Sequence, residues 1–100
     1  MKIPNKLKIG GFIWKVKKDA DIAYEGNCYG STHHRSQKIF LDPANTPQKM
    51  EQSFLHEVLH VIWDYSGLIK RPYPKEQEEE VIDTLSKGLY QVLKDNKLLK

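Results

Sequence analysis

The pentapeptide His56-Glu57-Val58-Leu59-His60 sets two imidazoles and a carboxylate at a spacing that a helix turns into a metal site. Residues four apart lie one above the other on a helix face, so both rings can reach a single zinc ion at a Zn–N distance of about 2.0–2.1 Å. Glu57 then stands beside the ion without having to bind it. From there its carboxylate can take a proton from a zinc-bound water, whose pKa the metal lowers to roughly 7, which leaves a hydroxide nucleophile for attack on a carbonyl. The motif is short, and a chain with four His and seven Glu can produce the same order by accident. In that bland reading the polar residues form a solvated helix face.

The surrounding residues carry the helical pattern the motif needs. Met50, Phe54, Val58, Val61, Ile62 and Tyr65, with Leu55 and Leu59 at the margin, make a broad apolar face that predicts packing on a core. Lys49, Ser53, His56, Glu57, His60 and Asp64 make a separate polar stripe. Thr46 is suited to cap the helix and Pro47 to its first position, where a missing N–H costs nothing. The helix is expected to run to about Ser66, with Gly67 as a left-handed C-terminal cap. Leu68 to Pro74, which holds two prolines, reads as a loop.

Strands are expected before this helix and a second helix after it. Leu7-Lys8-Ile9 leads through a turn or bulge at Gly10-Gly11 into Phe12–Lys17, whose partial alternation reads as a strand. Cys28-Tyr29-Gly30 reads as a short extended piece or turn. Gln37–Leu41 is a clearer strand, closed off by Asp42-Pro43-Ala44-Asn45. About three strands result, and so small a sheet needs a helix against one face to be stable in water. The second helix spans about Lys75 to Asp95, with Val81, Ile82, Leu85, Leu89, Val92 and Leu93 at helical spacing. Gly88 in its interior costs about 1 kcal/mol against Ala and suggests close packing there. The tail from Asn96 is expected to fray. The fold class is α+β: a small sheet packed on the His-Glu-x-x-His helix and a C-terminal helix rich in glutamate.

A catalytic zinc held by two His needs a third protein ligand and an open fourth position. Glu76, Glu78, Glu79 and Glu80 stand at the start of the second helix. Acidic residues are favoured there anyway by the helix dipole, at about 0.3–1 kcal/mol each. Given the upstream motif, one of them is the expected ligand. Apolar periodicity slightly favours Glu78, which lines up with Ile82, Leu85 and Leu89.

His56-Glu57-Val58-Leu59-His60 followed by Glu79-Glu80-Val81-Ile82-Asp83 resembles the gluzincin pattern, an HExxH helix followed by a helix bearing Glu-x-x-x-Asp. Glu79 stands nineteen positions after His60, close to the spacing in thermolysin-like enzymes. The chain length, with strands before two helices, is most similar to the minigluzincins and to small HExxH proteins encoded by bacteriophages and prophages. The resemblance spans essentially the whole chain, with its specificity in the HExxH segment. It implies that His56, His60 and Glu79 bind zinc, that Glu57 is the general base and acid, and that Asp83 supports a ligand imidazole; Glu78 is the reserve ligand. It implies further that Gln37–Leu41 forms the upper rim of a cleft, where a strand edge could hold an extended peptide. No motif identifies a group for the oxyanion, for which Tyr73, Tyr90, Arg35 and His34 are the candidates. The function implied is zinc-dependent hydrolysis of peptide bonds in a peptide or protein substrate. The alternative is a catalytically silent, zinc-stabilised interaction module such as a phage or prophage accessory protein, and a third reading is a metal-free helical adaptor.

Composition bounds these readings. One hundred residues with 39% hydrophobic content suit one domain spanning 1–100. The first residues lack a continuous apolar run, and no stretch approaches the ~18 apolar residues of a membrane span, so a soluble cytoplasmic protein with no membrane partner is expected. The single Cys28 has no internal disulfide partner and makes no cysteine metal site. A net charge of +3, with basic residues spread along the chain, gives no reason to expect nucleic acid as a partner. The basic spot His33-His34-Arg35 reads as a solvated loop or strand edge. Oligomeric state is left open.

Overall fold

The computed structural model describes residues 1–20, 29–67 and 74–99. Four strands, β1 (Lys6–Ile9), β2 (Phe12–Lys18), β3 (Gly30–His33) and β4 (Lys38–Leu41), precede two helices, α1 (Pro47–Tyr65) and α2 (Lys75–Asp95). The strands form one mixed sheet in the order β1-β2-β4-β3, with β2 and β4 parallel and the two outer pairs antiparallel. The class is α+β as expected, with four strands instead of about three. The additional strand is Gly-Ser-Thr-His, too polar and too lacking in alternation to be read alone; pairing with β4 makes it a strand. The expected pieces at Cys28 and at 68–73 lie outside the described residues.

Strand order moves the rim of the cleft. Gln37–Leu41 supplies β4, which is an interior strand flanked by β2 and β3. The free edge beside the helices belongs to β3. The β3–β4 ladder also shows which of its groups are open: Asp42 N–H donates to Tyr29 O at 3.1 Å, and antiparallel bonding alternates from pair to pair. Ser31 and His33 therefore face β4, while the backbone groups of Gly30 and Thr32 point to the open side.

One face of the sheet is apolar. Trp14 and Val16 of β2 and Ile39 and Leu41 of β4 meet Met50, Phe54 and Val61 of α1, with Ile9 closing the end. α1 begins as expected: Thr46 Oγ1 accepts from Lys49 N–H at 3.2 Å and Pro47 follows. It ends at Ser66, with Gly67 at φ +86°. α2 packs chiefly on α1 and not on the sheet, so α1 is the middle layer. The polar stripe of α1 is therefore not a solvated face: Ser53 and Glu57 are buried, and His56 and His60 are mostly covered. The far margin of the apolar face, Ile62 and Tyr65, is exposed instead.

α2 spans the expected residues but turns a narrower face inward. Ile82 and Ser86 are buried against α1, while Val81, Leu85, Leu89 and Val92 are exposed. Gly88 meets nothing within 4 Å, so it marks no close packing. The end of α2 is capped and does not fray at Asn96: Leu98 N–H bonds Leu93 O at 2.8 Å and Lys97 N–H bonds Lys94 O at 3.1 Å. Lys97 takes the left-handed position of that motif at φ +56°.

The β1–β2 turn has a strict requirement. Gly10 holds φ +61°, and a Cβ there would run into the ring of Tyr65. The left-handed backbone alone costs an L-residue about 1–2 kcal/mol, and Tyr65 is exposed enough to swing aside. Gly10→Ala is accordingly expected to lower unfolding free energy in urea by about 1–2 kcal/mol, and an unchanged midpoint would remove the turn as a constraint.

Candidate metal centre

Three elements converge on one side of α1. Its polar stripe lies between the β3 edge and the first turns of α2, in a cleft of about 880 Å³. The i, i+4 spacing brings His56 and His60 together with their Nε2 atoms 3.2 Å apart. Glu79 reaches across from α2, its Oε1 2.8 Å from His60 Nε2 and its Oε2 3.4 Å from His56 Nε2. One ligand atom from each of His56, His60 and Glu79 lies within 4.8 Å of the others, so the three could hold a metal ion. Two donors at about 2.0–2.1 Å from a tetrahedral ion stand about 3.3 Å apart, close to the separations seen here.

The donor chemistry fits such an ion. Glu78 Oε2 lies 2.8 Å from His60 Nδ1. In the tautomer that donates Nδ1–H to Glu78, the Nε2 lone pair points at Glu79 and His56. Acceptor atoms crowded at these distances repel one another unless a proton or a metal cation sits among them. Two imidazoles and one carboxylate are a set that zinc accepts, with a fourth position left open.

Glu78 and Glu79 thus divide the work between them. Glu79 completes the triad, and Glu78, the residue favoured by apolar periodicity, orients the His60 ring. Asp83 lies beside His56 as expected, but its Oδ1 is 3.7 Å from Nδ1, outside hydrogen-bond reach, and its other oxygen takes a 2.9 Å bond from Lys87. That bond, ahead of other charges, holds the Asp83 carboxyl below its ordinary value.

Glu57 sits on the floor of the cleft, where Thr32 Oγ1 of β3 donates to its Oε1 at 2.6 Å. Gly30 leaves room for this approach, since a Cβ there would stand 3.1 Å from Glu57 Cγ and 3.2 Å from Oε2. Thr32 and Gly30 were not legible as site residues, because they lie over twenty positions away in a segment without periodicity. Burial, above all, pushes the Glu57 carboxyl above its usual value; the Thr32 bond and the imidazoles of His56 and His60 pull it down, and Glu79 adds to the rise.

Of the oxyanion candidates, His34 lines the cleft, whereas Arg35 and Tyr90 do not; Tyr73 lies outside the described residues. His34 is held edge-on to Trp14 and 3.5 Å from Asp64, and His33 packs edge-on to Phe40. The basic spot is therefore split between the cleft and the opposite face of the sheet. Among the described residues no helix is long and apolar enough to cross a membrane. Comparison with known proteins finds no matching family model, no matching curated protein and no matching solved structure.

The raised Glu57 carboxyl has a consequence for stability with a definite sign. Because the folded state holds the proton more tightly than the unfolded chain does, Glu57 favours folding below the ordinary carboxylate range, and that contribution is lost as pH rises through the folded value. In metal-free protein, Glu57→Gln is therefore expected to be more stable than wild type at neutral pH, with the gap closing as pH falls through the raised folded value toward the ordinary carboxylate value of about 4.3. Denaturant midpoints across pH measure this, and a gap that ignores pH would contradict burial as the dominant influence.

Proposed function

We propose that this protein is a zinc-dependent peptidase that hydrolyses peptide bonds. The observation that carries the reading is the meeting of His56, His60 and Glu79 at ligand distances beside a buried carboxylate, Glu57, in an open cleft. Zinc held by these three residues would supply the Lewis acidity that polarises the scissile carbonyl and acidifies the attacking water.

The remaining work falls to groups of the chain itself. Glu57 takes the proton of the attacking water and delivers it to the leaving amine. Its Oε1 is tied by Thr32, which leaves Oε2 to do the transfer, and its burial raises its affinity for the proton it must carry. Glu78 keeps the His60 ring turned toward the ion, a role whose loss commonly costs 10–100-fold in metal affinity. The open edge of β3 suits an extended peptide, which can pair with the backbone of Gly30 and Thr32 and so lay a carbonyl over Glu57. The resemblance to the gluzincin pattern supports the same assignment.

A peptide library incubated with the zinc-loaded protein tests the reading. Cleavage should fall at least 100-fold in Glu57→Gln while the zinc content stays the same, in line with the usual contribution of a general base. Equal cleavage by the variant would remove Glu57 from the mechanism. A wild type that holds zinc and cleaves nothing would leave the silent interaction module in its place.

A further inference from the structure

The face of the sheet turned away from α1 has a composition of its own. The four strands contain six lysines and no Asp or Glu. Side chains alternate along a strand, and Trp14, Val16, Ile39 and Leu41 point to α1. Lys15, Lys17 and Lys38 therefore point the other way, together with Lys6 and Lys8 of β1.

Register gathers them further. Lys6 pairs with Lys15, Lys15 with Lys38, and Lys38 with His33, so one row across all four strands reads Lys-Lys-Lys-His. Lys17 and Phe40 form the neighbouring row, and Phe40 packs edge to face on His33 with ring centroids 4.8 Å apart. Like charges directly opposite one another destabilise a sheet. None of the five lysines makes an ion pair among the described residues, and the four strands themselves bring no carboxylate to the row. Residues 1–41 carry eight Lys and Arg against three Asp and Glu, and residues 42–100 carry eight against ten.

We infer that this outer sheet face binds single-stranded nucleic acid, its lysines on the phosphates and the His33–Phe40 pair beside the bases. An unpaired row of cations matches a chain of phosphates, whose neutralisation releases counterions. Aromatic groups bordering a basic track are what sequence-tolerant single-strand binding uses. A lipid surface fits less well, because among the described residues of the four strands only Ile13 stands as an exposed large apolar side chain on this face. The face lies across the sheet from the metal centre, so binding there leaves the cleft open.

Fluorescence anisotropy of the full chain with labelled oligo-dT and oligo-rU, an equally long duplex, and vesicles of phosphatidylserine and phosphatidylcholine tests the inference. Single strands should bind best. Each phosphate contact contributes about 0.7 to the slope of log affinity against log salt, so Lys15→Gln/Lys38→Gln should reduce that slope by about 1.4 and weaken binding about tenfold or more at low salt. Lys94→Gln/Lys97→Gln, with the same change in net charge at the end of α2, should leave both unchanged. In wild type, oligo-dT should move the amide resonances of Lys6, Lys15 and Lys38 and leave those of α2 in place. Absence of saturable binding, equal weakening by the two pairs, resonance shifts confined to α2, or tighter binding to the duplex or the vesicles would each overturn it.

Discussion

The arrangement turns on a crowd of electron-rich atoms held between two helices and a strand edge. His56 and His60 Nε2, both oxygens of Glu79 and the nearby carboxylates of Glu57 and Glu78 all lie in one part of the cleft, with Glu57 itself buried. Taking a carboxylate out of water costs free energy unless charge and hydrogen bonds make it good. Thr32 supplies one bond, and the converging Nε2 atoms and the Glu79 oxygens are spaced so that a cation could sit among them. A metal ion would meet all of them with one charge centre, and the burial of Glu57 and the cover over both imidazoles set the cluster apart from a solvated helix face.

Everything else in the fold serves to hold the crowd together. The apolar sheet face fixes one side of α1 through Met50, Phe54 and Val61, so the other side must face β3 and α2. Ile82 and Ser86 let α2 lie close to α1, and the side chains of Glu78 and Glu79, one turn earlier on that face, then fall beside His60. Gly30 allows β3 to approach within contact of Glu57, and Thr32, two residues on and on the same face, makes the bond. The opposite face of the sheet is free of these demands, and its lysines are not explained by packing.

The sequence was most readable where signals are local. Thr46-Pro47 marked the start of α1, and the limits of α2 and the α+β class followed from helical spacing and turn residues. The polar strand β3 was hidden because its structure comes from its partner β4, and Thr32 and Gly30 were hidden with it. Apolar spacing on α2 favoured Glu78, and Glu78 is indeed the more covered of the two at 18% against 52% for Glu79, but Leu85 and Leu89 are exposed and it is the half-exposed Glu79 that reaches both imidazoles. The lysines looked dispersed at positions 6, 8, 15, 17 and 38 because only strand register puts them on one face.

Zinc affinity, measured by competition titration in wild type beside Glu79→Ala and Glu78→Ala, tests the central claim most directly. One zinc should bind the wild type. Removing Glu79 should cost more than removing Glu78, whose loss should weaken binding by about 10–100-fold without abolishing it. Failure of the wild type to bind zinc, or a Glu78 variant weaker than the Glu79 variant, would contradict the geometry on which the functional reading stands.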